Sequence, residues 1–121
     1  MNNYSSLFLG LIMVLLTACT QQKTFDKRGW QERGDLALYP KRNDMLKDLT
    51  TRHKLKGLSY SQLVDSLGLP EGFSETKPNT AYYNIVTDYG KDIDPVYIKN
   101  LIITLNADSV VSGFGIEEIK H

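Results

Sequence analysis

The chain has 121 residues, with 14 Lys+Arg against 14 Asp+Glu, 41% apolar residues and one cysteine. That length has room for a single domain. The balanced charge gives no electrostatic footprint for nucleic acid or anionic lipid headgroups, and one cysteine excludes an intramolecular disulfide or a cysteine-based metal site.

The charge is not evenly spread, because Met1 to Ala18 contains no charged side chain. Leu7 to Leu16 is an unbroken apolar or small run (LFLGLIMVLL), the length of a signal-peptide core and short of the ~20 residues a membrane-spanning helix needs. Thr17 and Ala18 put small side chains just before Cys19, and Leu16 completes a lipobox. The segment before the run, Met1 to Ser6, has no Lys or Arg. The alternative reading is a short uncleaved anchor or a buried N-terminal helix. The lipobox reading predicts cleavage before Cys19 and lipidation of its sulfur, each buried CH₂ adding ~0.8 kcal/mol of membrane affinity. Residues 1–18 are then a signal peptide, 19–40 a lipidated flexible tether and 41–121 the folded domain. From Thr20 to about Asp35 the chain is polar, with isolated Phe25 and Trp30 and no sustained periodicity. Fully extended, such a tether reaches roughly 55 Å. Arg33-Gly34-Asp35 spells a cell-adhesion tripeptide, but three common residues recur by chance and no hairpin signal presents them.

Arg42-Asn43-Asp44 predicts a helix start, because Asn and Asp side chains accept hydrogen bonds from free first-turn amides. Met45, Leu46 and Leu49 share a helical face, and the helix is expected to run to about Lys54, with Leu55-Lys56-Gly57 as the break. Ser59 and Gln62 form a capping box for a second helix, whose stripe is Leu63, Val64 and Leu67. Gly68 supplies the left-handed stop and Pro70 prevents continuation.

Glu71 to Thr80 is turn-rich. Ala81 to Thr87 (AYYNIVT) is aromatic and β-branched and predicts a strand. Leu101 to Leu105 and Val110 to Ile116 predict two more, joined by a hairpin at Asn106-Ala107-Asp108-Ser109. Tyr89 to Pro95 reads as a loop, with Val96 to Ile98 able to extend the second strand backward. Gly113 and Gly115 on one face of the last strand admit a close approach or a bulge. The expected fold class is α+β, two short N-terminal helices packed on a three-stranded antiparallel sheet.

Gly57-Leu58-Ser59-Tyr60-Ser61-Gln62-Leu63-Val64-Asp65-Ser66-Leu67-Gly68-Leu69-Pro70 resembles the G-[ML]-[ST]-x3-[VL]-x3-L-G-x-P signature of the SmpA/OmlA (BamE-like) lipoprotein domain. Ala81-Tyr82-Tyr83 is similar to that family's aromatic first strand, and Leu101 to Val111 to its closing hairpin. The resemblance covers about residues 42–116 and implies a small outer-membrane lipoprotein that binds other proteins. The beta-lactamase-inhibitor protein fold uses the same two-helix-plus-sheet unit, which implies as an alternative an inhibitor-like module acting on a periplasmic enzyme.

The residues offer little chemistry. His53 is expected at a helix C-terminus, where an imidazole suits the dipole, and His121 ends the chain. A zinc site needs three or four converging ligands, which the spacing does not supply. Asp92 and Asp94 flank Ile93 as a calcium or general-acid pair might, or as ordinary turn residues before Pro95. Asp44 and Asp48 fit a solvated helix face. No nucleophile elbow or phosphate loop is present, so a non-enzyme without cofactor or metal is expected. Tyr83 is expected in the core, and Tyr82, Tyr89 and Tyr97 are the candidate protein-binding residues, since tyrosine suits interfaces. Thr20 after the cysteine is not the Asp associated with inner-membrane retention, which predicts the outer membrane. Gln21-Gln22-Lys23 lacks the acidic cluster of surface export, which predicts the periplasmic face. The expected partners are the membrane, through the lipid, and a protein of the envelope; nucleic acid is not expected.

Overall fold

The computed structural model describes residues 22–121; the expected signal peptide and Cys19 lie outside them. The order of elements is helix α1 (Lys27–Gln31), a 3₁₀ turn (Asp35–Ala37), α2 (Arg42–Arg52), α3 (Tyr60–Leu67), then strands β1 (Gly72–Phe73), β2 (Thr80–Asp88), β3 (Tyr97–Leu105) and β4 (Val111–Lys120). The class is α+β. The strands form one four-stranded antiparallel sheet in the order β1-β2-β3-β4.

The second predicted helix forms as its capping chemistry dictates. Ser59 Oγ accepts from the Gln62 amide at 3.1 Å and Gln62 Oε1 accepts from the Ser59 amide at 3.0 Å, satisfying donors that a helix start leaves free. Gly68 ends it at φ 84°, a conformation that penalises any residue with a Cβ. The start of α2 differs from expectation. Lys41 is the N-cap and no side chain caps it. Asn43 Oδ1 is instead engaged by Lys99 Nζ at 2.9 Å, because β3 passes close enough for a long-range bond to replace the local one. The helix also ends at Arg52 rather than Lys54.

The sheet has a strand more than expected. Gly72–Phe73 pairs with Ala81 and Tyr82, and two residues are too few to carry a period of their own. The long connection shortens because β3 begins at Tyr97, and β4 runs four residues past the expected end. The Asn106–Ser109 hairpin forms as predicted, with Asn106 Oδ1 accepting from the amides of Asp108 and Val110.

Alternation sends Ala81, Tyr83, Leu101 and Ile103 to the face under the helices, where they are fully buried with Leu49, Leu63 and Leu67. The expectation of a core Tyr83 holds, and its hydroxyl donates to the Gly68 carbonyl at 2.7 Å. Burial pushes this phenol well above the ordinary tyrosine range.

The segment read as a tether is largely part of the domain. Trp30 on α1 is 0% exposed and meets Tyr83 edge to face at 6.2 Å and Phe25 at 5.9 Å. Packing begins at Lys23, whose amide donates to the Asp44 carbonyl at 2.9 Å. A lone Trp without periodicity gives no local signal of structure, yet burying its large apolar surface stabilises by a few kcal/mol. The folded domain therefore starts well before residue 41, and the 55 Å reach does not apply.

Candidate functional site

Arg42 is the most unusual side chain of the fold, a guanidinium that is 2% exposed. Its position three residues before Met45 places it on the apolar stripe of α2 and so directs it inward. Nε donates to the Trp30 carbonyl at 2.8 Å and Nη1 to the Asn84 carbonyl at 2.8 Å. Nη1 also pairs with Glu71 Oε1. The guanidinium carbon lies 3.4 Å from the centroid of Tyr39 and 4.9 Å from that of Trp30, a cation–π arrangement. Burial pulls the Arg42 pKa down, and Glu71 is the main opposing influence.

The cluster does a job that a strand would otherwise do. β1 covers β2 only at Ala81 and Tyr82. Past it, the edge groups of Asn84 are met by side chains, the amide donating to Glu71 Oε1 at 2.7 Å and the carbonyl accepting from Arg42. Backbone groups at a sheet edge are satisfied by a strand, a side chain or water, and at Asn84 the side chains of Arg42 and Glu71 do it. The guanidinium is thereby neutralised and occupied, so the arrangement clamps α1, α2 and β2 together and leaves no charge for an incoming anion. Beside it, Trp30 Nε1 is buried without a hydrogen-bond partner among the described residues.

A second clamp sits at the other end of α2. Asp48 accepts from the Phe25 amide at 2.7 Å, from His53 Nε2 at 3.3 Å, and faces Arg52. The Phe25 bond, then His53 and Arg52, lower its pKa against some opposing burial. Asp48 is thus not on a solvated face with Asp44, and His53 meets Phe25 edge to face at 5.3 Å as well as ending its helix.

The three candidate tyrosines do not meet. Tyr82 is half-buried on the sheet face away from the helices, its ring over Gly72, where a Cβ would come within 2.8 Å of the hydroxyl. Tyr97 opens β3 on the helix-side face, paired with Asp88 and Lys120; burial and the neighbouring Glu118 push its phenol up. Tyr89 lies in the loop after β2. Closeness in sequence did not become a common surface, because alternation sends Tyr82 and Tyr97 to opposite faces and the ladder puts them at opposite ends. Asp92 and Asp94 are exposed in the β2–β3 loop, and among the described residues no three His, Cys, Asp or Glu converge as metal ligands. Cys19 lies outside the described residues.

Comparison with protein-family models, curated proteins and solved structures finds no match to this chain. The site must therefore be read from the molecule.

What the molecule does present is apolar surface. Phe114 and Ile116 on β4 are 41% and 46% exposed, and Ile93 in the β2–β3 loop is 94% exposed. On the face away from the helices, Asn84, Asn100 and Glu117 form a polar row, Asn84 donating to Asn100 at 3.3 Å and Asn100 to Glu117 at 3.4 Å. Alternation in the sequence puts Phe114 and Ile116 on one face of the last strand without saying which face the helices cover. Only the placement of the helices leaves them uncovered.

Proposed function

We propose that this chain is a lipoprotein of the outer membrane, anchored through Cys19, whose small domain binds another envelope protein as a scaffold or stabiliser. The observation that carries the reading is the run Leu16-Thr17-Ala18-Cys19, closing an uncharged apolar stretch and holding the only cysteine of the chain. The two-layer α+β domain, the uncovered apolar side chains of β4 and the resemblance to the BamE-like signature support a binding role. Packing from Lys23 onward bounds the spacer after Cys19 to about 14 Å of extended chain, which keeps the domain at the membrane surface.

The test is Cys19→Ser. The lipid-anchor reading expects the domain in the soluble periplasmic fraction, or a leader left uncleaved; membrane retention with a cleaved leader overturns it. For the partner, pull-down of tagged protein from solubilised membranes is expected to recover outer-membrane barrel or assembly subunits, and recovery of no protein counts against the binding role. A second reading is an inhibitor-like module, favoured by Ile93 standing 94% exposed between β2 and β3, as a side chain inserted into an enzyme cleft would stand. Recovery of a soluble hydrolase would decide for it.

A further inference from the structure

Gln22, the first described residue, lines a shallow depression between α2 and the sheet, together with Lys47 of α2, Lys99 of β3 and Ile116 of β4. Phe114 and Ile116 stand opposite Ile103 and Leu101 in the β3–β4 ladder, so they lie on the helix-side face of the sheet. Ile103 and Leu101 are fully buried there, whereas Phe114 and Ile116, on the last strand, are half-exposed. The helices that bury the first pair leave the second half open. Two other exposed apolar side chains belong to the opposite edge of the sheet, Leu69 in the turn before β1 and Phe73 on β1 itself. That edge is three strands from β4, about 14 Å at the spacing of neighbouring strands.

We propose that the domain rests on the bilayer through this depression and the adjoining β4 face, with Phe114 and Ile116 entering the boundary between headgroups and acyl chains. The proposal rests on the lipid-anchor reading above, and the choice of face follows from chain length. Cys19 precedes Gln22 by three residues, so the lipid-bearing residue stands at most about 11 Å of extended chain from the depression. Its lipid holds that residue at the membrane surface. A domain of this size has a radius of gyration of about 13 Å, which exceeds the leash, so the domain cannot turn its Gln22 side away from the bilayer.

The side chains at this place suit a lipid surface. Ile116 is in the depression itself, and Phe114 is its neighbour on the same strand face. An apolar face of a membrane-surface protein sits roughly 5–10 Å into the headgroup boundary, a depth that half-exposed side chains reach without unfolding anything. Lys47 and Lys99 add long stems that lie along apolar surface while their ammonium groups stay at the level of the phosphates. The bilayer is thus the partner of Phe114 and Ile116, and Leu69 and Phe73, turned away from it, are left for an envelope protein.

Fluorescence quenching of the full lipidated chain, purified from membranes, tests this. A thioether blocks the Cys19 sulfur, so a cysteine introduced elsewhere is the one site for a thiol-reactive fluorophore. Labelling of the parent chain at Cys19 overturns the anchor reading, and the proposal with it. Ile116→Cys and Lys47→Cys, labelled and placed in phosphatidylethanolamine–phosphatidylglycerol vesicles, are expected to lose most of their emission when the lipids carry a nitroxide high on one acyl chain. Leu69→Cys is expected to keep its emission. Lys47 is exposed on the surface of α2, so its variant reports even where the change at Ile116 disturbs the fold. With the parent chain unlabelled, three results overturn the docking face and leave the anchor standing: emission kept at position 47, emission kept at 116 in a variant folded by circular dichroism, or emission lost as fully at 69. Cross-linking of position 116 to another protein in isolated membranes overturns it as well.

Discussion

The Asp48 carboxylate accepts a hydrogen bond from the Phe25 amide at 2.7 Å, joining residues 23 positions apart. This bond, with the burial of Trp30, makes the segment before α2 part of the fold. Asp48 is held below its ordinary pKa, first by that amide and then by His53 and Arg52. A carboxylate depressed in the folded state stabilises fully above its unfolded pKa, about 3.9, and progressively less as pH falls through the lower folded value. Asp48→Asn is expected to lower the thermal midpoint at pH 7, and the gap from wild type is expected to narrow below about pH 4. Melting curves between pH 3 and pH 7 check both.

Arg42 and Glu71 replace a neighbouring strand for Asn84. Arg42→Ala strands a partly buried carboxylate and leaves the carbonyls of Trp30 and Asn84 without their donor. Its expected cost is about 3 kcal/mol. Glu71→Gln keeps an acceptor for the Asn84 amide and is expected to cost less, about 1–2 kcal/mol. The double variant is expected to be clearly less destabilised than the sum, because the two side chains act on each other. Urea unfolding midpoints of the four proteins close the cycle.

Trp30 is the only tryptophan of the chain, which makes it a reporter of its own burial. Native emission is expected to be blue-shifted and to move to the red in the same cooperative step that abolishes the far-ultraviolet circular dichroism. Trp30→Ala is expected to destabilise by about 3–5 kcal/mol, the cost of emptying a large core site. An emission already red in the native protein would contradict the packed N-terminal segment.

Ser109 closes the β3–β4 hairpin at φ 59°, in the left-handed region where a Cβ crowds the following carbonyl. Ser109→Gly relieves this at some entropic cost to the folded state. A net gain of about 0.5 kcal/mol is expected, read as a raised denaturation midpoint.

Local chain chemistry was sufficient for α3, whose capping box and glycine stop are bonds between residues three or four apart. It was also sufficient for the Asn106–Ser109 turn and for Tyr83, whose alternation with Ile85 and flanking apolar residues left one face to bury. The N-cap of α2 was misread for the opposite reason. Asn43 has a local bond available and a better one to Lys99, 56 positions away. Arg42 is an instructive middle case, since its spacing to Met45 and Leu49 marked it as inward-facing while its residue type argued for solvent.

The sequence by itself determined the capped helix, the hairpin, the strand alternation and the uncharged apolar run before Cys19, because each is written in neighbours or in a repeat. The tertiary structure alone decided that Phe25 and Trp30 are packed, that Arg42 and Glu71 take over where β1 ends, that Tyr82 and Tyr97 face apart, and that Phe114 and Ile116 are left half-exposed on the last strand among the described residues. These depend on which elements come to lie side by side. Burial and pairing are set by neighbours far along the chain, and a periodic pattern shows that a face is apolar without showing what covers it.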